Sequence, residues 1–418
     1  MAGSTLSSID RRLVRRIRAA IGDAPVAISL GNSNSDGPAG ANPVARVHIA
    51  DRKTLMKLVL DPEVGFGDAY MTGRITINGD LVRLLELVLE SMQKAGSEGW
   101  YARLRSGLLR ITQPNSLRGS ARNIHHHYDV PTDFYKLWLD SRLVYTCAYF
   151  PTPSATLEDA QIAKMDHVCR KLCLQPGEAV VETGCGWGAL ALHMARHYGV
   201  TVRAFNVSKE QIAFARQRAQ AEGLAHRVEF IHDDYRNVSG RFDAFVSVGM
   251  LEHVGQEHYA DLARVIHRSI GDSGRGLLHF IGRNRPHPFS SWIKMRIFPG
   301  AYAPALSQVM PMFEPWNFSV QDVENIGRHY ASTLEHWLAR FEGGVDRITE
   351  MFGAEFVRAW RLYLAGSLAS FRISTLQLFQ VVFAGSQCQN IPWTRQHLYA
   401  RADLAQKEQK WFVATSSS

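Results

Sequence analysis

The chain has 418 residues, 46% of them hydrophobic and 21% charged, a composition that fits a globular protein with room for two domains and excludes a disordered one. No apolar run approaches the roughly 18–20 residues that would cross a bilayer, and the best candidate, Leu81–Leu89, is interrupted by Arg83 and Glu86. A formal net charge of +8 disfavours cationic partners and points to an anionic surface, either nucleic acid or acidic lipid.

The first element in chain order is a helix over residues 5–22. Ile9, Leu13, Ile17 and Ile21 share a face, while Arg11, Arg12, Arg15, Arg16 and Arg18 spread around the remainder. Such a helix suits either an anionic membrane surface or a seat on its own domain, and the pattern fits both. It contains no continuous apolar region of the kind a secretory signal needs, so the chain is expected to be soluble and intracellular. Residues 31–43, rich in Gly, Asn, Ser and Pro, read as a loop. Strand-like pieces follow at Val44–Ile49 and Arg74–Ile77, with two helical stretches, one on each side of Gly65-Phe-Gly-Asp-Ala-Tyr70. Residues 1–112 are thus read as a small α+β domain and the polar run 113–122 as a linker.

From Asn123 the pattern changes to alternating strands and helices. Strands are expected at 178–183, 200–206, 227–232, 242–248 and 275–281, with helices near 157–174, 188–198, 208–223 and 256–270. This succession predicts a Rossmann-like, doubly wound α/β sheet with ligands at the carboxyl ends of its strands. Residues 284–370 read as a helical, aromatic-rich cover, Leu376–Ala384 as a returning strand, and 386–418 as a polar extension; the main domain spans 123–385. The five cysteines, Cys147, Cys169, Cys173, Cys185 and Cys388, form no C-x-x-C pair and fit a reduced compartment.

Residues 180–188, Val-Val-Glu-Thr-Gly-Cys-Gly-Trp-Gly, form an apolar strand entering a glycine turn just ahead of a helix. Gly184, Gly186 and Gly188 let a backbone approach a nucleotide closely. A dinucleotide would need an acidic residue roughly 20 positions on, yet the second strand ends in Asn206. The third ends Asp233-Asp234-Tyr235, a carboxylate and a ring suited to an adenine, and the fourth in Gly249-Met-Leu-Glu-His-Val254. These strand ends favour S-adenosylmethionine over NAD.

Seven segments, taken in order, resemble the cyclopropane-fatty-acyl-phospholipid synthases, which share their catalytic part with the mycolic acid cyclopropane synthases. They are Tyr145-Thr-Cys-Ala-Tyr-Phe150, Glu182-Thr-Gly-Cys-Gly-Trp-Gly188, Asn206-Val-Ser-Lys-Glu-Gln211, Asp234-Tyr-Arg236, Val248-Gly-Met-Leu-Glu-His-Val-Gly255, Leu278-His-Phe-Ile-Gly282 and His329-Tyr330. The likeness runs over roughly 120–385, and the order and spacing of seven motifs make it far more specific than any one of them. Val64–Gly73 with Gly79-Asp-Leu81 also resembles that family's small lipid-recruiting domain.

The resemblance implies a class I methyltransferase that carries a methylene from S-adenosylmethionine to a cis double bond in a phospholipid acyl chain. The alkene attacks the activated methyl, a carbocation forms, and proton loss closes the ring. The family's base is a bound bicarbonate, and Cys147, Glu252, His279, Tyr330 and the backbone of Ile281 match its site. Tyr330 and the Ile281 amide would donate to the anion, and His279 and Glu252 would accept or relay its proton, with Cys147 a weak donor. Cofactor contacts are implied for Tyr145, Thr146, Gly184, Gly186, Gly188, Asn206, Gln211, Asp234 and Tyr235.

Implied partners are unsaturated phospholipids at an anionic membrane surface, with the protein cytoplasmic and peripheral on the inner face; a homodimer is compatible with this. Four positions depart from the family's usual residues: Thr183, Asn206 and the pair Pro131-Thr132. Adjacent histidines do not share a face, so His125-His126-His127 is not expected to hold a metal. A lipid methyltransferase that leaves a methyl or methylene branch shares the carbocation and is the nearest alternative. A nucleic-acid module would need an interleaved basic and aromatic pattern or a helix-turn-helix pattern in 1–112, and neither is read there.

Overall fold

The computed structural model describes residues 6–21, 24–33, 43–94 and 130–399. The expected linker 113–122, the run His125–His127 and the extension from residue 400 lie outside the described residues.

The N-terminal part is built from α1 (Ser8–Ile21), β1 (Val26–Leu30), β2 (Ala45–Ile49), α2 (Arg52–Leu60), α3 (Pro62–Met71), β3 (Ile75–Gly79) and α4 (Leu81–Lys94). Its sheet has the order β1-β2-β3, with β1 parallel to β2 and β2 antiparallel to β3. The sequence pattern missed β1 because Val26–Leu30 is covered along nearly its whole length and shows no alternation. Helix α1 seats Val14 in the core with Ile28, Leu55 and Ile75, and its buried Asp10 accepts from Arg52 Nε at 2.7 Å and Nη2 at 2.8 Å. Leu13, Ile17 and Ile21 of the expected face pack against this core, whereas Ile9 is exposed along with Arg11, Arg12, Arg15 and Arg16.

Gly65–Tyr70 does not separate two helices but lies inside α3. Its glycines serve close approach rather than a turn. A Cβ on Gly65 would stand 2.8 Å from the Lys57 carbonyl oxygen, and one on Gly67 2.3 Å from the Trp292 indole.

The main sheet has the order β6-β5-β4-β7-β8-β10-β9. The classical part comprises α5 (Leu157–Lys171), β4 (Ala179–Thr183), α6 (Ala189–Tyr198), β5 (Thr201–Asn206), α7 (Lys209–Ala221), β6 (Val228–His232), β7 (Ala244–Val248), α8 (Leu251–Val254), α9 (Tyr259–Ile270) and β8 (Arg275–Gly282). Strands β6, β5, β4, β7 and β8 run parallel, as the alternating pattern predicts. The cover follows with α10 (Ser291–Arg296), β9 (Ser319–Asn325), α11 (Gly327–Gly343), α12 (Val345–Phe352) and α13 (Ala354–Arg372), before β10 (Gln377–Ala384) returns antiparallel between β8 and β9. Strand β9 falls in the stretch read as helical. As an edge strand it carries charged residues instead of an apolar alternation.

The N-terminal part docks on this cover. Trp292 Nε1 donates to Asp68 at 3.2 Å, and Arg296 pairs with Asp68 at 2.8 Å. Glu63 accepts from the Ser291 amide at 2.7 Å, and the Met71 carbonyl from Arg358 Nε at 2.6 Å. No helix among the described residues is long and apolar enough to cross a membrane.

Candidate active site

A cleft opens at the carboxyl ends of β4, β5 and β7, where an open α/β sheet places its ligands. Gly184 and Gly186 line it with positive φ of 81° and 54°. Nothing lies within 4 Å of where a Gly186 Cβ would stand, so the turn leaves space that a side chain would occupy. Asn206 and Gln211 line the next strand end. The Asn206 amide donates to Gln211 Oε1 at 2.7 Å and to the Gly186 carbonyl at 3.3 Å, which ties the glycine turn to β5. Asp234 and Tyr235 form the third side. Both Asp234 oxygens are engaged by the Arg236 side chain, at 2.8 and 3.1 Å, and the guanidinium lies 5.3 Å from the Tyr235 ring centre. Tyr145 and Thr146 close the cleft from the segment ahead of α5.

Gly188 departs from expectation and is not among the residues that line the cleft. A Cβ there would lie 2.5 Å from the Phe230 ring and 3.0 Å from Ala215. Its role is to let the start of α6 pack against β6 and α7.

Two buried charged residues of the cleft were not picked out as site residues from the sequence. Lys164 on α5 is buried and donates to Thr146 Oγ1 at 3.0 Å, and burial pulls its ammonium down to about 8. Glu182 at the end of β4 has one oxygen, Oε2, buried without a partner, and burial pushes its carboxyl up to about 8. Lys164 shares a helix face with the buried Ala160 and Val168, so its position every fourth residue was the available signal. Thr132, noted as a departure, receives the Trp187 indole N–H at 3.1 Å and itself donates to Glu210 at 2.7 Å, fixing one wall of the site.

An aromatic wall separates this cleft from a packed cluster of buried apolar side chains. The Tyr145 hydroxyl is 2.9 Å from that of Tyr363, and the Tyr145 ring lies 5.2 Å from Trp138 and 5.4 Å from Trp337. Tyr330, Ile281 and Cys147 belong to the same cluster. Tyr330 is buried edge-on to Trp337 at 5.8 Å and against Phe371 at 4.6 Å. The Cys147 thiol donates to the Ala148 carbonyl at 3.1 Å, and burial pushes it far above the ordinary range, so it is a neutral thiol.

Glu252 on α8 is bound to β8 directly. Its Oε1 accepts the Ile281 N–H at 2.6 Å, while Oε2 is buried without a partner, and burial raises the carboxyl to about 7. The Ile281 amide and Glu252, expected as separate groups, are thus bonded to each other. His279, two residues earlier on β8, has Nδ1 3.1 Å from Gln380 Nε2 and a buried Nε2 without a partner. Burial, with Lys164, Lys171 and His167 adding to it, holds this imidazole well below its ordinary range and therefore neutral. Glu252 Oε2 and His279 Nε2 are each buried without a partner near β8, a costly state that a small hydrogen-bonding guest would relieve. Among the described residues no cluster of His, Cys, Asp and Glu could hold a metal ion.

The mycolic acid cyclopropane synthetase family model matches residues 115–381. A probable fatty acid methyltransferase of Pseudomonas putida is 33% identical over 86% of this chain and 93% of its own length. The cyclopropane-fatty-acyl-phospholipid synthase of Escherichia coli strain K12 is 33% identical over 81% of this chain and 88% of its own. Among solved structures, a mycolic acid cyclopropane synthase complexed with SAH and CTAB superposes with a TM-score of 0.60 at 31% identity, covering 63% of this chain and 97% of that one.

Proposed function

The chain belongs to the mycolic acid cyclopropane synthetase family and is an S-adenosylmethionine-dependent methyltransferase, and from this premise we propose that it builds cyclopropane rings on the cis double bonds of unsaturated phospholipid acyl chains. Bound S-adenosylmethionine would supply an activated methyl. The cleft residues Gly184, Gly186, Asn206, Gln211, Asp234 and Tyr235 would hold it, with Tyr145 and Thr146 between it and the apolar interior. The wall of Tyr135, Trp138, Tyr145 and Trp337 would exclude water and face its π electrons toward a developing carbocation.

The observation that carries the reading is the pair of unpartnered buried atoms, Glu252 Oε2 and His279 Nε2. Bicarbonate, when bound there, would supply a base that is not itself alkylated. Glu252, lifted toward neutrality by burial, is suited to exchange a proton with it, and the sealed surroundings keep bulk water from quenching the cation. Residues 1–112 are proposed to recruit the lipid, with the exposed arginines of α1 facing an anionic membrane on the cytoplasmic side.

Mass spectrometry of phospholipid acyl chains, before and after expression in a host lacking such an enzyme, tests this. A gain of one CH₂ that resists hydrogenation indicates a ring. The name of the Pseudomonas putida relative favours a branched product as the second reading. A hydrogenation-sensitive CH₂ gain, or a gain of CH₄, would establish that instead. Loss of turnover on stripping dissolved carbon dioxide, with recovery on adding bicarbonate, tests the base.

A further inference from the structure

Gln380 sits in the middle of β10, a strand whose eight residues are all buried. In register it stands directly opposite His279 on β8 and Glu324 on β9, so the three side chains share one face of the sheet. Helix α5 brings His167 and Lys171 to the far end of this row: His167 Nε2 lies 2.6 Å and Lys171 Nζ 2.7 Å from Glu324 Oε2. A polar line thus crosses three strands inside an otherwise apolar layer, and one end of it is the imidazole of the proposed anion pocket.

We infer that Gln380 is a positioning residue that fixes the tautomer of His279, so that this imidazole presents an N–H, and not a lone pair, to the anion pocket. The inference rests on the reading of that pocket given above. A neutral imidazole carries one donor and one acceptor, and an amide nitrogen can only donate. In the amide orientation that puts Gln380 Nε2 3.1 Å from Nδ1 and leaves Gln380 Oε1 without a partner, Nδ1 is the acceptor and the ring proton resides on Nε2. The ring stays neutral because it is buried and because Lys164, Lys171 and His167 all add positive potential. An N–H directed at an anion binds it, whereas a lone pair would take its proton. Of the two groups expected to relay the proton, Glu252 alone then keeps a free lone pair, on Oε2.

The test uses the full chain labelled with ¹⁵N-histidine, with the His279 resonances identified by their loss in His279→Gln. Couplings between ring nitrogens and ring C–H protons should report hydrogen on Nε2 in the wild type. Gln380→Leu should remove that bias, and Gln380→Glu, measured at about pH 9 where a carboxylate only accepts, should move the hydrogen to Nδ1. Gln380→Glu should also raise the half-saturating bicarbonate concentration by about 10- to 100-fold, the worth of one hydrogen bond to a charged group. Calorimetric S-adenosylmethionine affinity should be unchanged, which controls for folding. Hydrogen on Nδ1 in the wild type, the result for an amide turned the other way round, would overturn the inference. An unaltered Nε2–H in both Gln380 variants would overturn it equally. A wild-type enzyme with the expected tautomer but indifferent to bicarbonate would leave Gln380's role standing and sink the reading of the pocket instead.

Discussion

Replacing Glu252 by Gln should damage turnover and stabilise the fold in alkaline solution. The amide keeps the shape and the oxygen that accepts the Ile281 N–H, but loses the proton acceptor at Oε2. A positioned acid–base group is worth roughly 10²–10⁴ in rate, or about 3–5 kcal/mol of barrier. The stability term has the opposite sign. Burial lifts the wild-type carboxyl from 4.5 to about 7, so between those values the folded state holds a proton that the unfolded state has released. Stability from this group is full below pH 4.5 and is lost as pH rises through about 7. The full loss is about 3 kcal/mol, of which about 2 falls between pH 5.5 and 8.5. Gln lacks this dependence. Urea unfolding of both proteins at the two pH values should therefore show the variant gaining about 2 kcal/mol on the wild type, while lipid methylation falls. A fully active variant, or parallel pH profiles of stability, would refute the placement of an ionisable, catalytically used carboxyl at this position.

Gly186→Val should abolish calorimetric S-adenosylmethionine binding in a folded protein, because the side chain enters open cleft, with strain of about 1–2 kcal/mol at its positive φ. Gly188→Val should do the reverse, losing about 1–3 kcal/mol in thermal or urea unfolding by overpacking Phe230, with cofactor affinity retained by the molecules that fold. Gly67→Ala should destabilise by a similar 1–3 kcal/mol, since the 2.3 Å approach to Trp292 outweighs the roughly 1 kcal/mol that Ala normally gains over Gly inside a helix. Replacing Arg11, Arg12, Arg15 and Arg16 together by Gln should weaken sedimentation with anionic vesicles, at about 1 kcal/mol for each charge near the surface. The difference should fade with salt, and equal binding would place the recruiting surface elsewhere.

Much of this was legible from residue order alone. The parallel strands announced themselves because β4 to β8 are apolar runs separated by helical periods, and polar residues at their carboxyl ends marked the cleft. Periodicity failed where tertiary context supplied the missing partner. Gly65 and Gly67 look like a break until Lys57 and Trp292 are seen against them. Strand β9 passes for part of a helical cover until β10 is placed beside it. Gln380 and Lys164 carried a readable signal, a polar side chain in an apolar strand or on an apolar helix face. What a sequence does not give is the partner: that Gln380 meets His279, and that the Ile281 amide is already taken by Glu252.

The seam around Gly67 bears on how separable the two parts of this chain are. Trp292 is sealed by a glycine that belongs to the other part, and Arg296 and Arg358 find their acceptors there too. Cut free of residues 1–112, the methyltransferase portion would carry a bare indole plate rimmed by two orphaned guanidiniums, a surface prone to self-association. The small unit is therefore no detachable cartridge. Exchanging it between enzymes, or trimming it away to obtain a minimal catalyst, would call for resurfacing Trp292, Arg296 and Arg358 in the same step.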